Sequence, residues 1–251
     1  MTTFERLLDI KAKRGAGYIV LIDPDKQKIE KSIEIAQQAE TEGVDAIFIG
    51  GSLLFYSTFE EFVEQIKTHV SIPVILFPGS TQQISRHADA ILFLSVLSGR
   101  NPETLIGQQV KGAPLIKMYN LEAISTAYML VESGVVTSAE FMSNTRPLPR
   151  EKNDIAVAHA LAAEYLGMKL IYLEAGSGAK YPVPDEMIDA VSRYAAPPLI
   201  VGGGIRTPEI AAQKVKAGAS FIVTGNVLEN AVKPGHIAEF ADAIHNVVSQ
   251  T

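Results

Sequence analysis

The feature that most constrains this chain is a regular alternation of short, β-branched runs with segments of helical period. That alternation is the mark of a parallel α/β fold, in which each strand returns through a helix. Strands are expected at Tyr18–Ile22, Ala46–Gly50, Val74–Phe77, Ala90–Leu94, Leu170–Glu174, Leu199–Gly202 and Phe221–Thr224, with one more in the 115–131 region. Several are almost wholly apolar, as strands covered on both faces must be. Eight strands in 251 residues predict a single (β/α)8 barrel, a TIM barrel, spanning 1–251.

Local signals support the helices between them. Thr207 and Pro208 form an N-cap and first-turn pair, and Gly218 suits the position after the helix end. Asn153 is expected to open a helix ending at Gly167. In the C-terminal segment, Ile237, Phe240, Ile244 and Val247 form a stripe for the outside of the barrel. The stretch Pro73-Val-Ile-Leu-Phe-Pro-Gly-Ser80 echoes Pro198-Leu-Ile-Val-Gly-Gly-Gly-Ile205, four strands later. Two stretches fit less well. The connection Gly79–Ala88 is too short for a normal helix, so the third helix is expected to be reduced or missing. Either Leu115–Tyr119 or Ala127–Val131 can serve as the fifth strand.

Composition removes several classes of function. With 22 Lys+Arg against 28 Asp+Glu the net charge is −6, which is no footprint for nucleic acid. There is no cysteine, so disulfides, thiolate nucleophiles and Cys-bound zinc are excluded. The five histidines, His69, His87, His159, His236 and His245, show no metal-ligand spacing. Met1–Arg6 lacks the basic start and apolar run of a leader, and no apolar stretch approaches the roughly 18 residues of a membrane span. A cytoplasmic protein is the expectation.

Chemistry in such a barrel gathers at the C-terminal strand ends, and phosphate is often held after strands 7 and 8. Here the strands run into Asp23-Pro-Asp-Lys26, Gly51-Ser52, Pro78-Gly-Ser80, Glu174-Ala-Gly-Ser-Gly178, Gly203-Gly-Ile205 and Gly225-Asn226. Glycines let main-chain amides approach phosphate oxygens, and a following helix N-terminus adds positive potential. A phosphate site at loops 6 to 8 follows. Asp23 reads either as a turn residue or as a Mg2+ ligand, with Ser52 offering a second oxygen. Asp25 and Lys26 suit a solvated ion pair or a diphosphate contact. Glu174 either bonds the main chain of Gly176–Gly178 or accepts a substrate hydroxyl's proton. Tyr172 shares its side of the strand, as core filling or as a ligand contact.

Taken together, Leu21-Ile-Asp-Pro-Asp-Lys26, Phe48-Ile-Gly-Gly-Ser52, Tyr128-Met-Leu-Val-Glu-Ser-Gly134, Tyr172-Leu-Glu-Ala-Gly-Ser-Gly178, Val201-Gly-Gly-Gly-Ile205 and Thr224-Gly-Asn226 resemble the geranylgeranylglyceryl phosphate synthase family. The resemblance implies a prenyltransferase that joins the 3-hydroxyl of sn-glycerol 1-phosphate to C1 of geranylgeranyl diphosphate and releases diphosphate. It also implies a Mg2+ cofactor on Asp23 and Ser52, with Glu174 orienting the hydroxyl. Tyr172, Leu173, Glu174, Ala175, Gly176, Ser177, Gly178, Gly203, Gly204, Gly225 and Asn226 would hold glycerol phosphate. A missing third helix is common in the family, and so is oligomerisation, for which Phe141 and Met142 offer an exposed patch. Transient contact with a membrane surface would release the product.

The prenyl tail needs an apolar groove, for which Phe55, Tyr56, Phe77, Leu94, Leu97 and Tyr119 are candidates. A related bacterial group uses a longer, heptaprenyl donor and carries lysine two positions before the Asp-Pro motif; Leu21 stands there in this chain, which favours the geranylgeranyl donor. Two other readings share the glycine loops: a phosphate-binding barrel isomerase or aldolase, and a barrel that binds phosphate or lipid without catalysis.

Overall fold

The computed structural model describes residues 1–55, 58–225 and 235–247. Its centre is a closed barrel of eight parallel strands in sequential order, β1 pairing with β8. The strands are β1 (Gly17–Ile22), β2 (Ala46–Ile49), β3 (Val74–Leu76), β4 (Ala90–Val96), β5 (Glu122–Leu130), β6 (Leu170–Glu174), β7 (Leu199–Gly202) and β8 (Phe221–Thr224). The last three coincide with the sequence expectation residue for residue.

Helices α1 (Thr3–Arg14), α2 (Ile29–Thr41), α3 (Phe59–His69), α4 (Gln108–Met118), α5 (Ser138–Ser143), α6 (Asn153–Tyr165), α7 (Asp185–Tyr194), α8 (Pro208–Lys216) and α9 (His236–His245) complete the described elements. Thr207 caps α8 by accepting the Ile210 N–H, and Gly218 follows that helix with φ of +114°. Asn153 is the first helical residue of α6 rather than its cap, a place taken by Lys152. On α9, Ile237, Phe240 and Ile244 are buried against the outside of the barrel.

Strand alternation divides the core in two. Ile19, Phe48, Ile75, Leu92, Ile124, Tyr172, Ile200 and Phe221 fill the barrel, while their neighbours pack under the helices. At the N-terminal end α1 closes the barrel, burying Leu7 completely with Phe4 and Ile10 beside it. Thr2 and Glu5 cap that helix reciprocally, and the Glu122 carboxylate accepts the Thr3 and Phe4 N–H groups. A carboxylate on a helix N-terminus meets both unpaired amides and the positive end of the dipole.

The two difficult stretches are resolved. Between β3 and β4 there is only a 3-10 turn, Thr81–Gln83, in place of a helix. The fifth strand is β5, which takes most of Ala127–Val131, whereas Leu115–Met118 lies in α4. Pro114 sits inside that helix, which begins from a π-helical turn at Glu103–Gly107. Among the described residues, no helix is long and apolar enough to cross a membrane.

Candidate active site

A cavity of about 830 Å³ opens at the C-terminal end of the barrel, and its lining draws on loops 1 to 8. One arm lies over loops 6 to 8, at Ser177, Gly178, Gly203, Gly204 and Gly225. A second lies over Asp23, Lys26 and Ser52. Phe77, Ile84, Ile91, Gly112 and Ile116 give the lining an apolar side next to the 3-10 turn.

Glu174 ends β6 where these regions meet, and it is 6% exposed. Burial pushes its carboxyl up to about 7, against the opposing pull of the Gly176 N–H and the Tyr172 hydroxyl. Charge is costly where water is excluded, so the acid form is favoured there. Its Oε1 accepts the Gly176 N–H at 2.5 Å. Its Oε2 and the Tyr172 hydroxyl lie 2.9 and 2.6 Å from the point where a Cβ on Gly202 would stand. Glycine at the end of β7 therefore makes room for both groups. The Tyr172 hydroxyl is buried beside the Glu174 carboxyl. Burial first, and then the charge of Glu174, raise its pKa well above the ordinary value, so it stays protonated.

Loop 6 is shaped by its neighbours. The Arg206 guanidinium donates to Ala179 O at 2.6 Å, Arg150 to Pro182 O at 2.8 Å, and the buried Lys214 to Val183 O at 2.7 Å. Gly203 adopts φ of +83°, and a Cβ there would stand 2.5 Å from the Gly176 nitrogen. Side chains at 203 are thus excluded by both conformation and space.

Asp23, directly after β1, accepts the Asp25 N–H at 3.0 Å, so the turn reading of this residue holds. Its carboxylate also borders the cavity beside Ser52, and a Cβ on Gly51 would come within 3.0 Å of Oδ2. The bare main chain of Gly51 is what lets the carboxylate lie over loop 2. Asp25 in turn accepts the Phe55 N–H at 2.7 Å, tying loop 1 to loop 2. A carboxylate and a hydroxyl with open space above them fit a hard cation that keeps several waters.

Of the residues expected at the site, Asp23, Ser52, Tyr172, Glu174, Gly176, Ser177, Gly178, Gly203, Gly204 and Gly225 border the cavity. Leu173 and Ala175 do not: strand alternation turns them into the shell beneath the helices, and the Ala175 N–H is bonded to Gly202 O. Asn226 and Tyr56 lie outside the described residues. For the groove, Phe55, Phe77 and Leu94 line the cavity, whereas Leu97 and Tyr119 do not. The Arg86 guanidinium covers the Tyr119 ring at 4.5 Å.

Gln83 and Arg206 were not among the expected residues, and Tyr128 was named only within a family motif, without a place at the site. Tyr128 pairs in register with Tyr172, and their rings meet edge to face at 5.4 Å with Phe77 stacked on Tyr172. Placing Ala127–Val131 on the fifth strand would have brought Tyr128 to the mouth. Gln83 carried no signal in a run of turn residues.

A model of the PcrB family matches residues 8–247. The chain belongs to this family. Among relatives, it is 48% identical to a geranylgeranylglyceryl phosphate synthase of Chitinophaga pinensis, over 96% of this chain and 95% of that one. It is also 48% identical to the synthase of Pyrococcus furiosus, over 90% of each chain. A crystal structure of (S)-3-O-geranylgeranylglyceryl phosphate synthase from Thermoplasma acidophilum, in complex with its substrate sn-glycerol-1-phosphate, is similar throughout. The TM-score is 0.93 at 36% identity, covering 98% of this chain and 99% of that one.

Proposed function

We propose that this chain is a prenyltransferase that forms the ether between the 3-hydroxyl of sn-glycerol 1-phosphate and C1 of geranylgeranyl diphosphate. The observation that carries the reading is Glu174, buried with its carboxyl pushed up to about 7 in one cavity lined by the glycines of loops 6 to 8, by Asp23 and Ser52, and by apolar side chains. The named relatives act in the same direction.

In this reading glycerol phosphate lies over Ser177, Gly178, Gly203, Gly204 and Gly225, with its phosphate on main-chain amides. The 3-hydroxyl then reaches Glu174 Oε2, while Oε1 stays bound to Gly176 N–H and fixes the carboxylate's orientation. The hydroxyl oxygen attacks C1 of the donor, the C1–O bond to diphosphate breaks with its electron pair, and Glu174 takes the hydroxyl proton. Tyr172 donates its hydrogen to an oxygen of the bound substrate and keeps it at neutral pH. Holding both reactants at one mouth removes much of the entropic barrier. Mg2+, held by Asp23 and Ser52, would neutralise charge on the departing diphosphate. The tail runs past Phe77, Ile84, Ile91 and Ile116.

We place the reaction in the cytoplasm, in a homo-oligomer, with the lipid product leaving by transient contact with a membrane surface. Phe141 is 77% exposed on α5 and suits a contact between subunits. Purified protein given glycerol 1-phosphate, geranylgeranyl diphosphate and Mg2+ is expected to release diphosphate. Release that needs no glycerol phosphate, or no release at all, would overturn the reading. Parallel assays with farnesyl and heptaprenyl donors set the chain length, with geranylgeranyl expected to give the highest kcat/KM.

A further inference from the structure

Loop 2 carries Ser52 and leads into α3, and it lies beside the β3–β4 connection, which holds only a 3-10 turn. The main chain of loop 2 rests on that of loop 3. A Cβ on Gly50 would stand 1.9 Å from Phe77 O, and one on Gly79 would stand 2.3 Å from Gly51 O. Only hydrogen at both positions permits so close an approach, and backbone contact alone leaves polar groups to be satisfied.

Those groups are met by one side chain. Gln83 is 1% exposed, and its Nε2 donates to Gly51 O at 2.8 Å. Its Oε1 accepts the N–H groups of Gly51 at 3.1 Å and Gly79 at 3.2 Å. Gln83 reaches back because Ser80 starts the turn: Ser80 Oγ accepts the Gln82 N–H, and Ser80 O accepts the Gln83 N–H. Gly51 is thereby held at both its donor and its acceptor, one residue before Ser52 and directly under the Asp23 carboxylate.

We infer that Gln83 is a positioning residue for the diphosphate half of the reaction: it sets Ser52 against Asp23 by clamping loop 2 to loop 3. It touches neither proposed substrate group and acts through Gly51. The glycerol phosphate arm is built on loops 6 to 8, supported by Arg206, Arg150 and Lys214, and contains no bond to Gln83. A defect at Gln83 therefore falls on one substrate and spares the other. Loss of fit for both substrates alike is what a merely structural glutamine would give.

The inference rests on the proposed function, and the test separates the two. Gln83→Met keeps the volume and removes all three bonds. Titration calorimetry with inorganic diphosphate and Mg2+, and separately with glycerol 1-phosphate, reads each arm without turnover. Diphosphate binding is expected to weaken about tenfold, the size of effect that leaving buried main-chain groups unpaired produces. The KM for geranylgeranyl diphosphate should rise in parallel, while glycerol phosphate binding stays within about twofold. Gln83→Asn keeps the amide but is one methylene too short to hold all three bonds, and should give a smaller shift in the same direction. It also serves if the methionine variant does not fold. Equal weakening of both ligands, or unchanged diphosphate binding in a folded variant, overturns the inference. Should the wild-type protein turn over no prenyl diphosphate, the proposed function fails and this inference falls with it.

Discussion

Glu174 and Gly176 share one hydrogen bond of 2.5 Å, in which the main chain of the phosphate loop orients the carboxylate that faces the substrate arm. The bond links the grip on one end of glycerol phosphate to the group that would act on its other end. A carboxylate so held keeps one oxygen for structure and one for chemistry.

Replacing that carboxylate by an amide keeps the size and removes the proton acceptor. Glu174→Gln is expected to lower kcat by ~10²–10⁴, the usual range for a general base. Its affinity for glycerol phosphate should change little, since the phosphate contacts remain. In the wild type, kcat/KM should rise with pH through about 7, because only the ionised carboxylate accepts a proton. The residual rate of the variant should lack that limb. A variant with full kcat removes Glu174 from the chemistry.

The same group has a stability cost with a definite sign. Burial raises the Glu174 pKa from 4.5 to about 7, so the folded state holds its proton over a range where the unfolded state has lost it. The contribution to stability is therefore fully present below about 4.5 and is lost as pH rises through about 7. Glu174→Gln should be level with wild type at low pH and gain on it by on the order of 3 kcal/mol near neutrality. Denaturant melts at several pH values check this; a constant difference across the range contradicts it.

Gly203→Ala tests the phosphate arm. The residue sits at φ of +83°, and the new methyl group would meet the Gly176 nitrogen and Glu174 Oε1. A loss of about 1–3 kcal/mol in stability is expected, with weaker binding of glycerol phosphate. Calorimetric binding and thermal melts read the two effects separately.

At the other arm, Asp23→Ala should reduce turnover by roughly 10²–10³-fold while glycerol phosphate still binds. Titration with Mg2+ should no longer saturate the residual rate. Unchanged turnover would remove Asp23 from the cation site.

The groove makes a steric prediction. A Cβ on Gly112 would already lie 3.2 Å from Ile84 Cδ1, in the apolar part of the cavity. Gly112→Leu should fill it, lowering kcat/KM for geranylgeranyl diphosphate well below that for a shorter allylic donor. Equal effects on both donors would place the tail elsewhere.

The barrel was readable because parallel strands buried on both faces are continuous apolar runs, and the last three could be bounded to the residue. The fifth was not, since the Leu115-Ile-Lys-Met-Tyr119 pattern suits a strand and Pro114 argues against a helix that forms nonetheless. Tertiary packing overrode local propensity there. The helix α1 was legible in principle, for Thr2 and Glu5 make a capping box, but that short motif gains its meaning only from the barrel end it closes. Asp23, Ser52 and Glu174 could be found because strand ends carry function in this architecture. Leu173 and Ala175 were included only because a motif was read whole, where strand alternation presents every second residue. Gln83 was invisible for a different reason: its role depends on two loops that are adjacent only in the folded chain.

In the proposed reaction the glycerol hydroxyl attacks the prenyl carbon. Glycerol 1-phosphate carrying ¹⁸O in its 3-hydroxyl, reacted with geranylgeranyl diphosphate and Mg2+, tests it by mass spectrometry of both products. The label is expected to stay in the ether, and the diphosphate to be unlabelled. Label in the diphosphate, or a phosphate ester in place of an ether, would contradict it.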